Sequence, residues 1–330
     1  MKEKKIFISD LLDHVGEEIT ELFFVRGMLN SKNRQGTAWT SVGIADRTGM
    51  ATAKIWSEFF CDQNMELEEQ VCEIFGKVDI YNGVPGISIT SMKKAESFQQ
   101  KDFAKSLDES VCKALKGSLS EWINQIKNPR YRALLERVFA KNADKMLGVP
   151  ASVNSHHVYN GGCMEHTLEV VCMADRLAEH YYQMEEYPVN RDLLLTAALL
   201  HDVGCTTCYE PFPLSKKTVR GSLIGVALES SLFCVSYNSL LSQESRVSDT
   251  TELTHCILAS HDESVGGVKP AMLEAIILHD ANMSSIHANG YSTCFRKDEI
   301  WHPEMKKNRT WIYSSLHETV LYRKEVEKDV

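Results

Sequence analysis

The sequence predicts an α+β protein of more than one domain, in which a small N-terminal β-barrel is followed by an all-α body. Three observations carry this prediction. Between Leu22 and Thr90, short apolar runs are separated by Gly, Asn and Asp, the pattern of strands and turns. After Ser91 the apolar residues recur every three or four positions, the period of helices with one buried face. The chain also has 330 residues, 43% of them hydrophobic and 25% charged, enough for two cores.

The elements follow in chain order. FFVRGML, WTSVGIAD, MATAKIW, VCEIFGKVDIY and GISIT are five strands, and five strands of this length suit a small closed barrel. Asp46-Arg47-Thr48-Gly49 fits a hairpin turn, and Asn82-Gly83 fits another. Alternation turns Ala51, Ala53 and Ile55 inward and leaves Thr52, Lys54 and Trp56 outside. With Arg26, Trp39 and Tyr81, the residues Lys54 and Trp56 are candidates for stacking and charge contacts with a single-stranded nucleic acid.

Ser106-Leu-Asp-Glu109 has the form of a capping box, and Leu107, Val111, Leu115, Leu119, Trp122 and Ile126 form one apolar stripe behind it. Pro129 breaks the run and opens a second helix that ends near Gly148 and Pro150. Further helices are expected over Met164 to Tyr182, Arg191 to His201, Leu223 to Phe233, Glu252 to Ser260, and Pro270 to about Asn282. This divides the chain into a barrel at 1–92, a two-helix connector at 93–150 and a helical domain at 151–330.

The net charge is -9, distributed as -5 over residues 1–92, +5 over 93–150 and -9 over 151–330. The net charge therefore argues against indiscriminate nucleic-acid binding, while the connector offers a local positive field. MKEKKIFISDLL has no apolar h-region, and the chain has no long uncharged apolar run, so neither a signal peptide nor a membrane span is expected and a cytoplasmic location is. Ten cysteines then read as reduced thiols, with the Cys205-Thr-Thr-Cys208 spacing unsupported by a second pair. Exposed barrel edges or the connector could mediate a homo-oligomer, with no symmetry specified.

The chemistry lies in the histidines: His166 in GGCMEHTLEV, the pair His201-Asp202 at the end of TAALLHDVG, His255 in ELTHCIL and His261 in LASHDES. Imidazole nitrogens with a carboxylate oxygen suit a first-row divalent cation. These histidines sit on successive helices beside apolar stripes, an arrangement that can hold ligands rigidly. His156 and His157 precede the His166 helix, within reach of a scissile phosphate.

HHVYNGGCMEHTLEV, LLLTAALLHDVG and THCILASH, in this order, resemble the HD phosphohydrolase superfamily, whose signature is H…HD…D. Within it they resemble the YhaM-type 3'-5' exoribonuclease family. The resemblance extends over nearly the whole chain, from FFVRGML through ISITSMKKA to SSLHETVLYRK. It implies an OB-fold for the barrel and an HD domain for the helical body. It also implies metal ligation by His166, His201 and Asp202, with His255 and His261 completing or bridging a second site. One or two divalent ions are expected, manganese first, with iron, nickel, zinc and cobalt as the other candidates.

Three positions depart from the family pattern: Asp262 replaces a histidine, Cys205 replaces a lysine after HDxG, and Asn282 stands where the last aspartate is expected. Asp280, two residues earlier, shares a helical face with Leu273, Ile276 and Ile277, whereas Asn282 shares one with Ala275 and Leu278. The two cannot serve the same centre. Asn282 can offer an amide oxygen but no charge, and Asp262 could restore a carboxylate if its loop turned inward.

Three functions remain open on the sequence. The first is a metal-dependent 3'-5' exonuclease acting on single-stranded RNA, or on DNA, with His201, Asp202 and His157 as catalytic residues. The second is a nucleic-acid-binding protein whose HD site has lost activity. The third is an HD phosphohydrolase acting on nucleotides.

Overall fold

In the computed structural model, the described residues are 3–32, 38–59, 66–81, 83–103, 106–153, 155–182, 188–211, 216–301 and 310–323. Contacts divide the chain into two compact units: residues 1–106 with 212–214 and 293–330, and residues 107–211 with 215–292.

The first unit is built on β1 (Glu18–Lys32), β2 (Ala38–Asp46), β3 (Gly49–Trp56), β4 (Val71–Tyr81) and β5 (Val84–Lys94). They close in the order β1-β2-β3-β5-β4, with β3 and β5 parallel and the other pairs antiparallel. Strand alternation sets the faces: Ala51, Ala53 and Ile55 are buried in a core with Phe23, Val25, Ile44, Ile74 and Ile87. Asp46 Oδ1 accepts from the backbone N–H of Thr48 at 2.9 Å and from its hydroxyl at 2.6 Å, which fixes the turn before β3. Gly76 is required where β4 meets β5, because a Cβ there would stand 2.3 Å from the Ser88 carbonyl. Of the expected Asn82-Gly83 turn, Asn82 lies outside the described residues and Gly83 takes φ +82. The unit also contains a hairpin of β6 (Trp311–Ser314) and β7 (Thr319–Tyr322).

The second unit is helical. α1 (Glu109–Gln125) and α2 (Pro129–Met146) place Leu119, Ile123, Leu134, Leu135 and Val138 in the same apolar cluster as the helices that follow. Ser106 does not cap α1: the helix starts at Glu109 with Asp108 as its N-cap residue, so the capping-box pattern is not used. Asn128 caps α2 instead, its Oδ1 accepting from the N–H of Arg130 at 3.0 Å, with Pro129 at the position where a missing N–H costs nothing.

α3 (Gly162–Tyr182), α4 (Arg191–Leu200), α5 (Cys205–Cys208), α6 (Val219–Leu223), α7 (Val226–Ser239), α8 (Thr251–Ala259) and α9 (Leu273–Trp301) complete the element order. α4 is the central element, with every residue from Leu193 to Leu200 buried. α9 runs well past Asn282, where the sequence suggested an end. Among the described residues, no helix is long and apolar enough to cross a membrane.

Candidate metal centre

Four segments of the helical unit bring side chains into contact with one another, and a fifth carries the buried Asn282. His166 projects from the first turns of α3, His201 is the C-cap of α4 with Asp202 next to it, His261 follows the end of α8, and Asn282 lies on α9. His156 and His157 occupy the loop before α3. His157 is held at φ +44, a costly backbone conformation for a residue with a Cβ. Its N–H donates to Asn289 Oδ1 at 2.9 Å, and Gly162 makes room for it, since a Cβ there would meet the His157 carbonyl at 2.1 Å.

The distances define the centre. His166 Nε2 is 3.4 Å from His201 Nε2 and 3.5 Å from Asp202 Oδ2, and His201 Nε2 is 3.7 Å from the same oxygen. His261 Nε2 is 3.0 Å from Asp202 Oδ1. His166, His201 and Asp202 are all buried, at 1%, 0% and 4% exposure.

Hydrogen-bond partners decide where the ring protons are. His201 Nδ1 lies 2.8 Å from the Ala198 carbonyl, which can only accept, so Nδ1 carries the proton and Nε2 a lone pair. The Ser285 hydroxyl donates to Glu169 Oε2 at 2.8 Å, and His166 Nδ1 lies 2.9 Å from that hydroxyl. Ser285 has one proton and has given it away, so His166 Nδ1 donates and its Nε2 is also a lone pair. Three acceptors therefore face one another with no proton between them. Bonds of about 2.1 Å to a divalent cation put neighbouring ligand atoms roughly 3.0 to 3.4 Å apart, so the donor set fits such an ion.

Electrostatics agree. Burial holds His166 well below the ordinary imidazole value and lowers His201 as well, so both stay neutral ligands. Burial would raise the Asp202 carboxyl, but the hydrogen bond from His261 Nε2 opposes this and Asp202 stays below the usual carboxylate range. Asn282 Nδ2 donates to the Ser260 carbonyl at 2.8 Å, and its buried Oδ1 has no hydrogen-bond partner among the described residues.

Other expected positions fall elsewhere. His255 is not brought to the cluster: its Nε2 accepts from the Ala271 N–H at 3.0 Å. Asp262 is exposed and accepts from the Ser264 N–H at 2.8 Å, so its carboxylate does not turn inward. Asp280 is exposed on α9 while Asn282 is buried. Cys205 is buried, and burial pushes its thiol well above the usual range, so a neutral thiol stands at this position. His156 and His157 are buried, their Nδ1 atoms 3.4 Å apart and their rings 4.6 and 5.2 Å from the His166 ring. With His166 they form a second group of nitrogens close enough to share an ion. His166 Nδ1 is already engaged, however, so both groups draw on the same Nε2 and describe one centre.

In the barrel, Lys54 Nζ lies 4.8 Å from the Trp39 ring centre and 3.9 Å from that of Tyr81. Trp56 stands opposite Trp39 in the β2–β3 register and donates its Nε1–H to Ser88 Oγ at 3.2 Å. These four candidates form one half-buried patch, while the Arg26 guanidinium turns to Met50 Sδ.

Sequence reasoning missed Glu169 and Ser285. Helical spacing was the available signal: Glu169 lies three residues after His166, and Ser285 three after Asn282.

Comparison with known proteins places these features. The HD domain family model matches residues 163–282, and a second model, TraI_2, matches 103–204. The 3'-5' exoribonuclease YhaM of Bacillus velezensis is 24% identical over 277 residues, covering 82% of this chain and 85% of that protein. The same-named protein of Bacillus subtilis is 22% identical over 276 residues, covering 82% and 85%. Among solved structures, the second OB-fold domain of replication protein A from Methanococcus maripaludis matches 26% of this chain and 89% of its own, at 17% identity and a TM-score of 0.19. The helical unit thus carries an HD domain, and the chain as a whole resembles the YhaM-type 3'-5' exoribonuclease family across 82% of its length.

Proposed function

We propose that this protein is a metal-dependent 3'-5' exonuclease that shortens single-stranded RNA. The observation that carries the reading is the convergence of two imidazole lone pairs and a carboxylate within 3.4 to 3.7 Å of one another. His166, His201 and Asp202 hold the ion, with Asn282 Oδ1 and His261 beside them. Manganese is the ion we assign. When bound, the ion neutralises charge on phosphoryl oxygens and makes a water nucleophilic near neutral pH.

The chain's own residues do the rest. His261, hydrogen-bonded to Asp202, orients the carboxylate. His157 is only 1% exposed, so we assign it a positioning role beside Glu169 rather than contact with substrate. The Trp39, Lys54, Trp56 and Tyr81 patch stacks bases and attracts the strand's phosphates. The names of the relatives and the presence of an HD domain support hydrolysis at a phosphodiester.

One specific observation favours the rival reading, an RNA-binding protein with a silent site: Asn282 is neutral, and neither Asp262 nor Asp280 compensates for it. The test is to measure bound metal, then incubate the protein with Mn2+ and 5'-end-labelled single-stranded RNA. Stepwise shortening from the 3' end, lost in a His201→Ala, Asp202→Ala double variant, is the expected result. RNA retention without shortening would establish the rival, and release of phosphate from mononucleotides alone would make the protein a nucleotide hydrolase. Asn282→Asp should tighten Mn2+ binding about tenfold, roughly 1.4 kcal/mol; unchanged affinity would remove Asn282 from the ligand set.

A further inference from the structure

We propose that Glu169 is a positioning residue of the metal centre, which acts through Ser285 to hold the His166 ring in the tautomer whose Nε2 is free for a cation. This rests on reading His166, His201 and Asp202 as a cation site.

A carboxylate has no proton to give, so in the Ser285–Glu169 contact of 2.8 Å the serine must donate. The serine oxygen, 2.9 Å from His166 Nδ1, is then left as an acceptor, and the imidazole must place its single proton on Nδ1. If Glu169 is removed, the hydroxyl is free to donate to Nδ1 instead. The ring proton then moves to Nε2, where His201 Nε2 waits as an acceptor 3.4 Å away. A histidine–histidine hydrogen bond would thus close the space meant for the ion. Metal binding competes with this internal bond, and Glu169 decides the competition.

The placement is specific. Glu169 shares the His166 face of α3, one turn on, while Ser285 is fully buried on α9. The same Glu169 oxygen stands 3.3 Å from His157 Nε2, a buried nitrogen with no hydrogen-bond partner among the described residues. One carboxylate oxygen therefore stands beside His157 and, through Ser285, beside His166. The Glu169 side chain is 43% exposed, so it can be replaced without emptying the core.

The test uses the full-length, metal-free protein with 15N-labelled histidine. Long-range proton–nitrogen spectra report which ring nitrogen is protonated, with His166 assigned by comparison with a His166→Gln variant. Wild type should show the Nδ1–H form. Glu169→Ala and Ser285→Ala should shift His166 toward Nε2–H and weaken Mn2+ binding, followed by electron paramagnetic resonance, about 10- to 100-fold. Ser285→Thr, which keeps the hydroxyl, should restore both. Unchanged tautomer and Mn2+ affinity in Glu169→Ala would overturn the proposal, as would a lowered melting temperature with affinity intact. A wild type that binds no Mn2+ would refute the metal centre itself, and the spectra would still decide the role of Glu169.

Discussion

Both units bury charge, and they treat it in opposite ways. In the barrel, Lys4 and Asp46 are fully enclosed side chains 3.3 Å apart. Lys4 Nζ also donates to the Leu22 carbonyl and lies 3.7 Å from the centre of the Phe23 ring. Asp46 Oδ2 takes the N–H of Ile8 at 2.7 Å, and Oδ1 takes Thr48 twice. Each of these groups meets its complement within the protein. In the helical unit, Asp202 is ringed by imidazoles, two of which offer lone pairs rather than protons. A buried polar cluster that is complete in itself holds a fold together, whereas one made of converging acceptors is waiting for something positive.

Three perturbations test that contrast. The largest effect is expected from Lys4→Met, which leaves Asp46 buried without its cation and should cost about 3 to 5 kcal/mol of stability. Chemical denaturation should show the loss while Mn2+ affinity stays at the wild-type value; a fall in affinity would mean that the two clusters are not independent.

Acid should separate the units next. Burial lowers His166 and His201 and pushes His156 down to about 3. Their unfolded counterparts titrate near 6.5, so below that pH the unfolded chain binds more protons than the native one. The stability contributed by neutral burial is complete above about pH 6.5 and is lost progressively as pH falls from there toward 3. Circular dichroism of the metal-free protein should therefore show the helical signal weakening across this window. Helices that hold through it would contradict the neutral-imidazole assignment. The smallest effect is expected from Trp56→Ala, which should cost about 1 to 3 kcal/mol of RNA binding per unstacked base and leave metal affinity unchanged. Filter binding that shows no loss would place the RNA path elsewhere.

How much of this was legible in the sequence depends on whether the cause is local. The alternation Ala51, Ala53, Ile55 declares its strand because period two is written in adjacent residues, and the barrel followed from five such runs. His166, His201, Asp202 and His261 stood out by residue type and by their places beside apolar helices. His255 looked equivalent to them, but the Ala271 N–H claims it, and that residue is distant in sequence. Ser106 had the letters of a cap, yet the chain turns helical only after Asp108. α9 continued to Trp301 because nothing after Asn282 forces a break. Glu169 and Ser285 are 116 residues apart, and no local pattern announces that they share a proton.

The direction of two helices has a consequence for the order of events. α4 ends at Leu200, capped by His201, and α8 ends at Ala259, two residues before His261, so both present their carbonyl ends toward these side chains. Each such end carries roughly half an elementary negative charge. A phosphodiester approaching the bare protein would meet the charge of Asp202 and these two carbonyl ends, against the positive N-terminal end of α3 beside His166. The scaffold thus makes the cation a gatekeeper: RNA should engage the HD centre only after the ion has arrived, an order that footprinting with and without Mn2+ would reveal.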